Sequence, residues 1–234
     1  MKILSISLLL LISAMTPGGC SSSIGPGGNA EPASFDTQDG VVLSGYLFGT
    51  GDIGVVLSHM EESDQKGWWP FARVLRDKGY LVLSYDFRGY GGSGGSRNMD
   101  ILDLDVQAAV NYLEERDVSK VVLIGAGMGG TASVKAAANL STEGVIVLSA
   151  APIVEGLDIL DDIERVTEPK LFIAAKGDTN GFYARSVDLF LQDSLQISEG
   201  HKVAGMSHGT DLLYDESGPR VQGFIIDFLM RHVD

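Results

Sequence analysis

Thiols are almost missing from this chain. Its one cysteine, Cys20, excludes an intramolecular disulfide, so the fold rests on its core and the thiol needs another explanation. Positive charge is also scarce: 17 Lys and Arg stand against 31 Asp and Glu, a formal net charge of -14. So acidic a surface repels nucleic acid and anionic lipid headgroups, which excludes both as electrostatic partners. Metal chemistry lacks a ligand set, because His59, His201, His208 and His232 show no metal-site spacing with cysteine or paired carboxylates. The apolar stretch at residues 3–15 spans roughly 20 Å as a helix, short of the ~30 Å core of a bilayer.

What is present points to an exported globular protein. With 44% hydrophobic and 21% charged residues among 234, the chain suits one domain with a substantial core. Met1-Lys2, the apolar stretch and the small residues after it read as a cleaved export signal over residues 1–19. Gly18 and Gly19 before Cys20 resemble a bacterial lipobox, although Pro17 stands where an aliphatic residue is usual. That resemblance implies a lipidated Cys20 as mature N-terminus and attachment to a membrane in the cell envelope through acyl chains. Plain secretion, or a soluble periplasmic protein with an incidental thiol, is the alternative. Residues 20–34, rich in Ser, Gly and Pro, read as a flexible tether, and residues 35–234 as the folded domain.

Within that domain, apolar strand-like runs alternate with helical patterns, which predicts an α/β fold: a doubly wound, mostly parallel sheet flanked by helices. A hairpin opens it, with residues 33–37 and 41–48 around Asp39-Gly40. Further strands are expected near 53–58, 80–85, 120–124, 144–148, 170–175 and 195–203. Helices are expected after Trp68, from Asp100 as N-cap, from Met128 to about Asn139, and through the stripe of Val221, Phe224, Ile225, Phe228 and Leu229. The stretch from Ser149 to Pro169 is too short for a lid domain, and residues 157–166 suit a single short helix over an open or lightly covered site.

At Val121-Val122-Leu123-Ile124 an apolar strand runs into Gly125-Ala126-Gly127-Met128-Gly129-Gly130. The layout is that of a nucleophile elbow, whose usual form is G-x-S-x-G. Here Gly127 takes the serine's place, and with neither hydroxyl nor thiol it excludes acyl-enzyme chemistry at that position. Ser93, in Gly91-Gly92-Ser93-Gly94-Gly95, also fits G-x-S-x-G, but no helix follows until about Asp100, so it reads as a glycine-rich loop. The run from Gly125 to Gly130 approaches a dinucleotide fingerprint. It lies mid-chain, however, and the next strand ends in Leu148-Ser149-Ala150 with no acidic residue, so no cofactor is expected.

Five stretches in order carry a family likeness: Val55-Val56-Leu57-Ser58-His59, Asp86-Phe87-Arg88-Gly89-Tyr90-Gly91, the elbow, Ile173-Ala174-Ala175-Lys176-Gly177-Asp178, and Gly205-Met206-Ser207-His208-Gly209-Thr210-Asp211-Leu212. From about Phe35 onward the chain resembles the α/β-hydrolase superfamily, in particular its small lidless bacterial hydrolases. The resemblance implies the triad order nucleophile, acid, base at Gly127, Asp178 and His208. His208 would be the general base and Asp178 its orienting acid, with an ordinary turn aspartate, or Asn180 in its stead, as the alternatives. The backbone N–H groups of Met60 and Met128 would form the oxyanion hole, and His59 would be structural. The expected function is a degenerate serine hydrolase that binds a small ester or acyl ligand, or a protein partner the sequence does not identify. A slow esterase using water activated by His208, and a variant of an active ester hydrolase, are the alternatives.

Overall fold

The computed structural model describes residues 25–27 and 29–234. The expected signal peptide and Cys20 lie outside the described residues. Two strands open the domain, β1 (Glu31–Asp36) and β2 (Val42–Phe48), joined antiparallel through Asp39-Gly40, where Gly40 takes φ 82°. β1 begins inside the stretch expected as tether, because Glu31 to Ser34 pair with Leu47 to Ser44 and the backbone ladder overrides composition. Next come β3 (Ile53–Ser58), α1 (Trp69–Asp77), β4 (Leu81–Asp86), α2 (Leu102–Glu114), β5 (Lys120–Ala126), α3 (Met128–Ala137) and β6 (Gly144–Leu148). The remainder is β7 (Ile153–Val154), β8 (Leu157–Asp158), α4 (Asp162–Arg165), β9 (Lys170–Ala175), α5 (Phe182–Asp193), β10 (Ser198–Val203) and α6 (Gly218–His232).

The sheet has eight strands in the order β1-β2-β4-β3-β5-β6-β9-β10, parallel from β4 onward. Both faces are covered, which explains why its inner strands read as unbroken apolar runs. Val56 and Leu123 face α2 and α3 through Val106, Ala109 and Ala132, whereas Val55, Leu57 and Ile124 face α1 and α6 through Phe71, Leu75 and Phe228. Each fully buried Leu or Phe contributes roughly 1.5 to 3 kcal/mol, so this double layer holds the central strands rigidly. Register then sets the site. Ser58 pairs with Gly125 and Ala126 with Leu148, so the carboxyl ends of β3, β5 and β6 finish together.

Two local expectations change. Asn98, not Asp100, is the capping side chain: its Oδ1 accepts from the N–H of Asp100 at 3.3 Å, and one turn of 3-10 helix precedes α2. The helix expected over 157–166 shrinks to the four residues of α4. Glu155 and Gly156, at φ 41° and 98°, turn the chain into the β7–β8 hairpin first.

Candidate active site

The corner between β5 and α3 is Gly127, at φ 53° and ψ -125°, a region that costs any residue with a Cβ about 1 to 3 kcal/mol. The turn is tight enough that neighbouring glycines are also needed: a Cβ on Gly129 would lie 2.4 Å from the carbonyl oxygen of Ser58. The Gly127 N–H is tied to the Leu148 carbonyl at 2.9 Å, which fixes the corner to the end of β6. Met128 opens α3, so its N–H has no acceptor within the helix and carries the helix's positive end.

His59, beyond β3, is wholly buried and makes two hydrogen bonds, from Nδ1 to the Met60 carbonyl at 2.7 Å and to Nε2 from the Phe87 N–H at 3.1 Å. A backbone N–H only donates, so Nε2 accepts and the proton sits on Nδ1. Burial pushes the imidazole below the ordinary histidine value, consistent with this neutral form. In a trans peptide C=O and N–H point in opposite directions, so drawing the Met60 carbonyl toward His59 turns the Glu61 N–H away from it. Neither the Met60 nor the Glu61 N–H finds an acceptor among the described residues. Asp86 clamps the same loop, accepting from the Gln65 N–H at 2.9 Å and from its side-chain amide at 2.8 Å.

Opposite the corner, His208 Nδ1 lies 2.8 Å from Asp178 Oδ2, with the aspartate side chain 3% exposed and the imidazole 25%. Asp178 opens a turn that bends at Thr179 and Asn180, with φ 46° and 55°, and Asp178, not Asn180, meets the imidazole. The other ring nitrogen, Nε2, is 3.1 Å from where a Cβ on residue 127 would stand. Tyr183, on the first turn of α5, covers the imidazole with ring centroids 4.5 Å apart. Burial, then the Asp178, Glu62 and Glu61 carboxylates, push its phenol above the usual range, a measure of how negative this mouth is.

The loops that carry these groups brace one another. The Gly177 N–H bonds the Gly205 carbonyl at 2.9 Å, Thr210 Oγ1 lies 3.7 Å from Met60 Sδ, and the Tyr214 hydroxyl reaches the Gly67 carbonyl at 2.9 Å. Gly209, at φ 52°, leaves room for the Met60 sulfur, which a Cβ would approach to 2.6 Å. Ser93 belongs to another system: it donates to the Asp86 carbonyl at 2.5 Å and accepts from the Ser44 N–H at 2.9 Å, pinning its loop.

A small hollow of about 50 Å³ lies at the corner, between Gly127, Met128, Ala151, Val154, Tyr183 and His208, with Glu61 and Glu62 at its rim. A larger hollow of about 430 Å³ beside Phe35 and Tyr112 shares no residue with it. The structure thus brings together Gly127, Met128, Met60, Asp178 and His208. Tyr183, Glu61, Val154 and Ala151 join them without having been singled out, since nothing local in the sequence marks a residue that meets the site only through packing.

An antiparallel pair leading a parallel sheet, with acid and base loops reaching a strand-to-helix corner in that chain order, defines the class: the architecture is that of an α/β hydrolase. A profile of the serine aminopeptidase S33 family matches residues 55–175. The Escherichia coli K12 protein YfhR is 30% identical over 112 residues, covering 44% of this chain and 39% of its own length. The Mycobacterium tuberculosis protein Rv2307c is 28% identical over 133 residues, covering 54% and 47%. The chain thus spans less than half the length of these relatives. Among solved structures, the Pyrococcus furiosus esterase Pf2001 superposes with a TM-score of 0.78 over 98% of both chains at 18% identity, a likeness of fold alone. The chain belongs to the serine aminopeptidase S33 family of α/β hydrolases.

Proposed function

We propose that the corner at Gly127 receives the carbonyl of a small carboxylic ester and that a water, rather than a side chain, attacks it. One observation carries this reading: an imidazole held by a buried carboxylate directs its free nitrogen at the space a side chain on residue 127 would fill, 3.1 Å from the Cβ position. His208 Nε2 takes a proton from that water as its oxygen bonds to the carbonyl carbon. The resulting oxyanion is held by the N–H groups of Met128 and of Met60 or Glu61. Collapse breaks the carbon–oxygen bond, and the proton on His208 passes to the departing alkoxide, leaving a carboxylic acid and an alcohol. No acyl-enzyme forms. Serine proteases stripped of their nucleophile keep roughly 10³ to 10⁴ over water, which sets the scale for such turnover.

Absence of any attacking atom at Gly127 favours a second reading, a pocket that only binds its ester or acyl ligand. Hydrolysis of p-nitrophenyl acetate separates them. Turnover that disappears in His208→Ala supports water activation, whereas equal rates in both proteins leave binding as the function. We further propose export and lipid attachment at Cys20, expecting Cys20→Ser to move the protein from the membrane fraction to the soluble one. An unchanged distribution refutes it.

A further inference from the structure

Two hollows meet at His208. The smaller, about 50 Å³, extends from Gly127 toward Ala151 and Val154, while the larger, about 300 Å³, runs past Asp178, Thr179 and Asp211. Tyr183 and His208 border both. Only the smaller is lined by Gly127 and Met128, where the carbonyl would sit, so the acyl chain is assigned to it and the alcohol to the larger hollow on the other side of His208. A cavity of about 150 Å³ holds benzene, so one of a third that size has room for roughly two carbons.

The far wall of the small hollow is the β7–β8 hairpin. It is seated closely: a Cβ on Gly156 would fall 2.1 Å from Asp100 Oδ1, and Val154 packs against the core on the α2–α3 side. The wall is anchored through Val154 and the buried Leu157 rather than through its exposed turn.

We propose that Ala151 and Val154 act as an acyl-length stop, restricting this site to esters of two- and three-carbon acids while leaving the alcohol part unrestricted up to the size of the larger groove. The proposal rests on the reading of the site as an acyl site, and its test keeps the two apart. Rates on p-nitrophenyl acetate, butyrate and hexanoate, corrected by His208→Ala, are measured for the wild type and for Gly127→Ser. An excess methylene in a fixed pocket costs about tenfold or more, so acetate should exceed hexanoate by at least about 100-fold. Val154→Ala should shrink that ratio by about tenfold, and Ala151→Val should raise the acetate-to-butyrate ratio. Ratios are independent of how much of a variant folds. A flat chain-length profile, or ratios unmoved by either variant, overturns the length stop and leaves the hydrolytic reading standing. No His208-dependent turnover of acetate in either background overturns both.

Discussion

Placing a serine at Gly127 tests the chemistry and the strain of the corner together. The new Cβ would stand 3.0 Å from Met60 Cβ and 3.1 Å from His208 Nε2, so either the methionine or the imidazole must retreat by a few tenths of an ångström. The backbone adds its own cost, because φ 53° is unfavourable for any residue with a side chain. Together these amount to about 1 to 3 kcal/mol, or a melting temperature lower by roughly 3 to 10 °C for a domain of this size. Against that loss stands the hydroxyl. Removing the nucleophile of a serine protease costs about 10⁶ in turnover, and a serine facing a slightly crowded imidazole should recover roughly 10² to 10⁴ of it. The assay is p-nitrophenyl acetate hydrolysis, with an initial burst marking the acyl-enzyme, read beside thermal unfolding. Gly127→Ala should show the same loss of stability with no gain in rate. If Gly127→Ser unfolds at the temperature of Gly127→Ala yet hydrolyses no faster than wild type, His208 and the cradle do not form a working pair.

Other outcomes follow from single contacts. Asp178→Asn should lower His208-dependent turnover of the Gly127→Ser protein by about 10⁴, as in serine proteases, and abolish the downfield imidazole Nδ1–H resonance; a retained signal refutes the orienting role. His59 titrates near 6.5 when unfolded and lower when buried, so the unfolded state binds the extra proton and stability declines as pH falls from about 6.5 toward the folded value, by at most about 1.4 kcal/mol per unit. His59→Asn should remove that decline, and parallel stability curves for the two proteins from pH 7 to 5 would sink the assignment. Arg88, 3% exposed, bonds the wholly buried Asp105 at 2.6 Å and Asp39 at 2.7 Å. Arg88→Met should cost about 3 to 5 kcal/mol in urea unfolding by stranding Asp105, and a loss under 1 kcal/mol contradicts it.

Where the core decides, the sequence was readable. Residues 53–58 and 144–148 became β3 and β6 at those bounds because both faces of each strand are covered, leaving only Ser58, at the end of β3, as a polar side chain in either run. Asp39-Gly40 declared its turn because few dipeptides accept a positive φ there. Residues 157–166 misled because their apolar spacing fits a helix, while the Glu155-Gly156 turn that makes a hairpin lacks the usual Asn or Asp. Within the site, Asp178 and His208 were legible from their places after strands. Tyr183 was not, since its ring reaches the imidazole only once α5 docks beside β9. The orientation of the Glu61 N–H was equally hidden, being set by a proton on His59.

The mutual bracing of the acid, base and cradle loops has a consequence for how this protein can change. Their cross-links run from Gly177 to Gly205, from Thr210 to Met60 and from Tyr214 to Gly67, and none passes through a side chain at residue 127. The loops around the corner are therefore held together independently of what residue 127 carries. Residue 127 can change without breaking any of these three cross-links, although a side chain there must press on Met60 and His208.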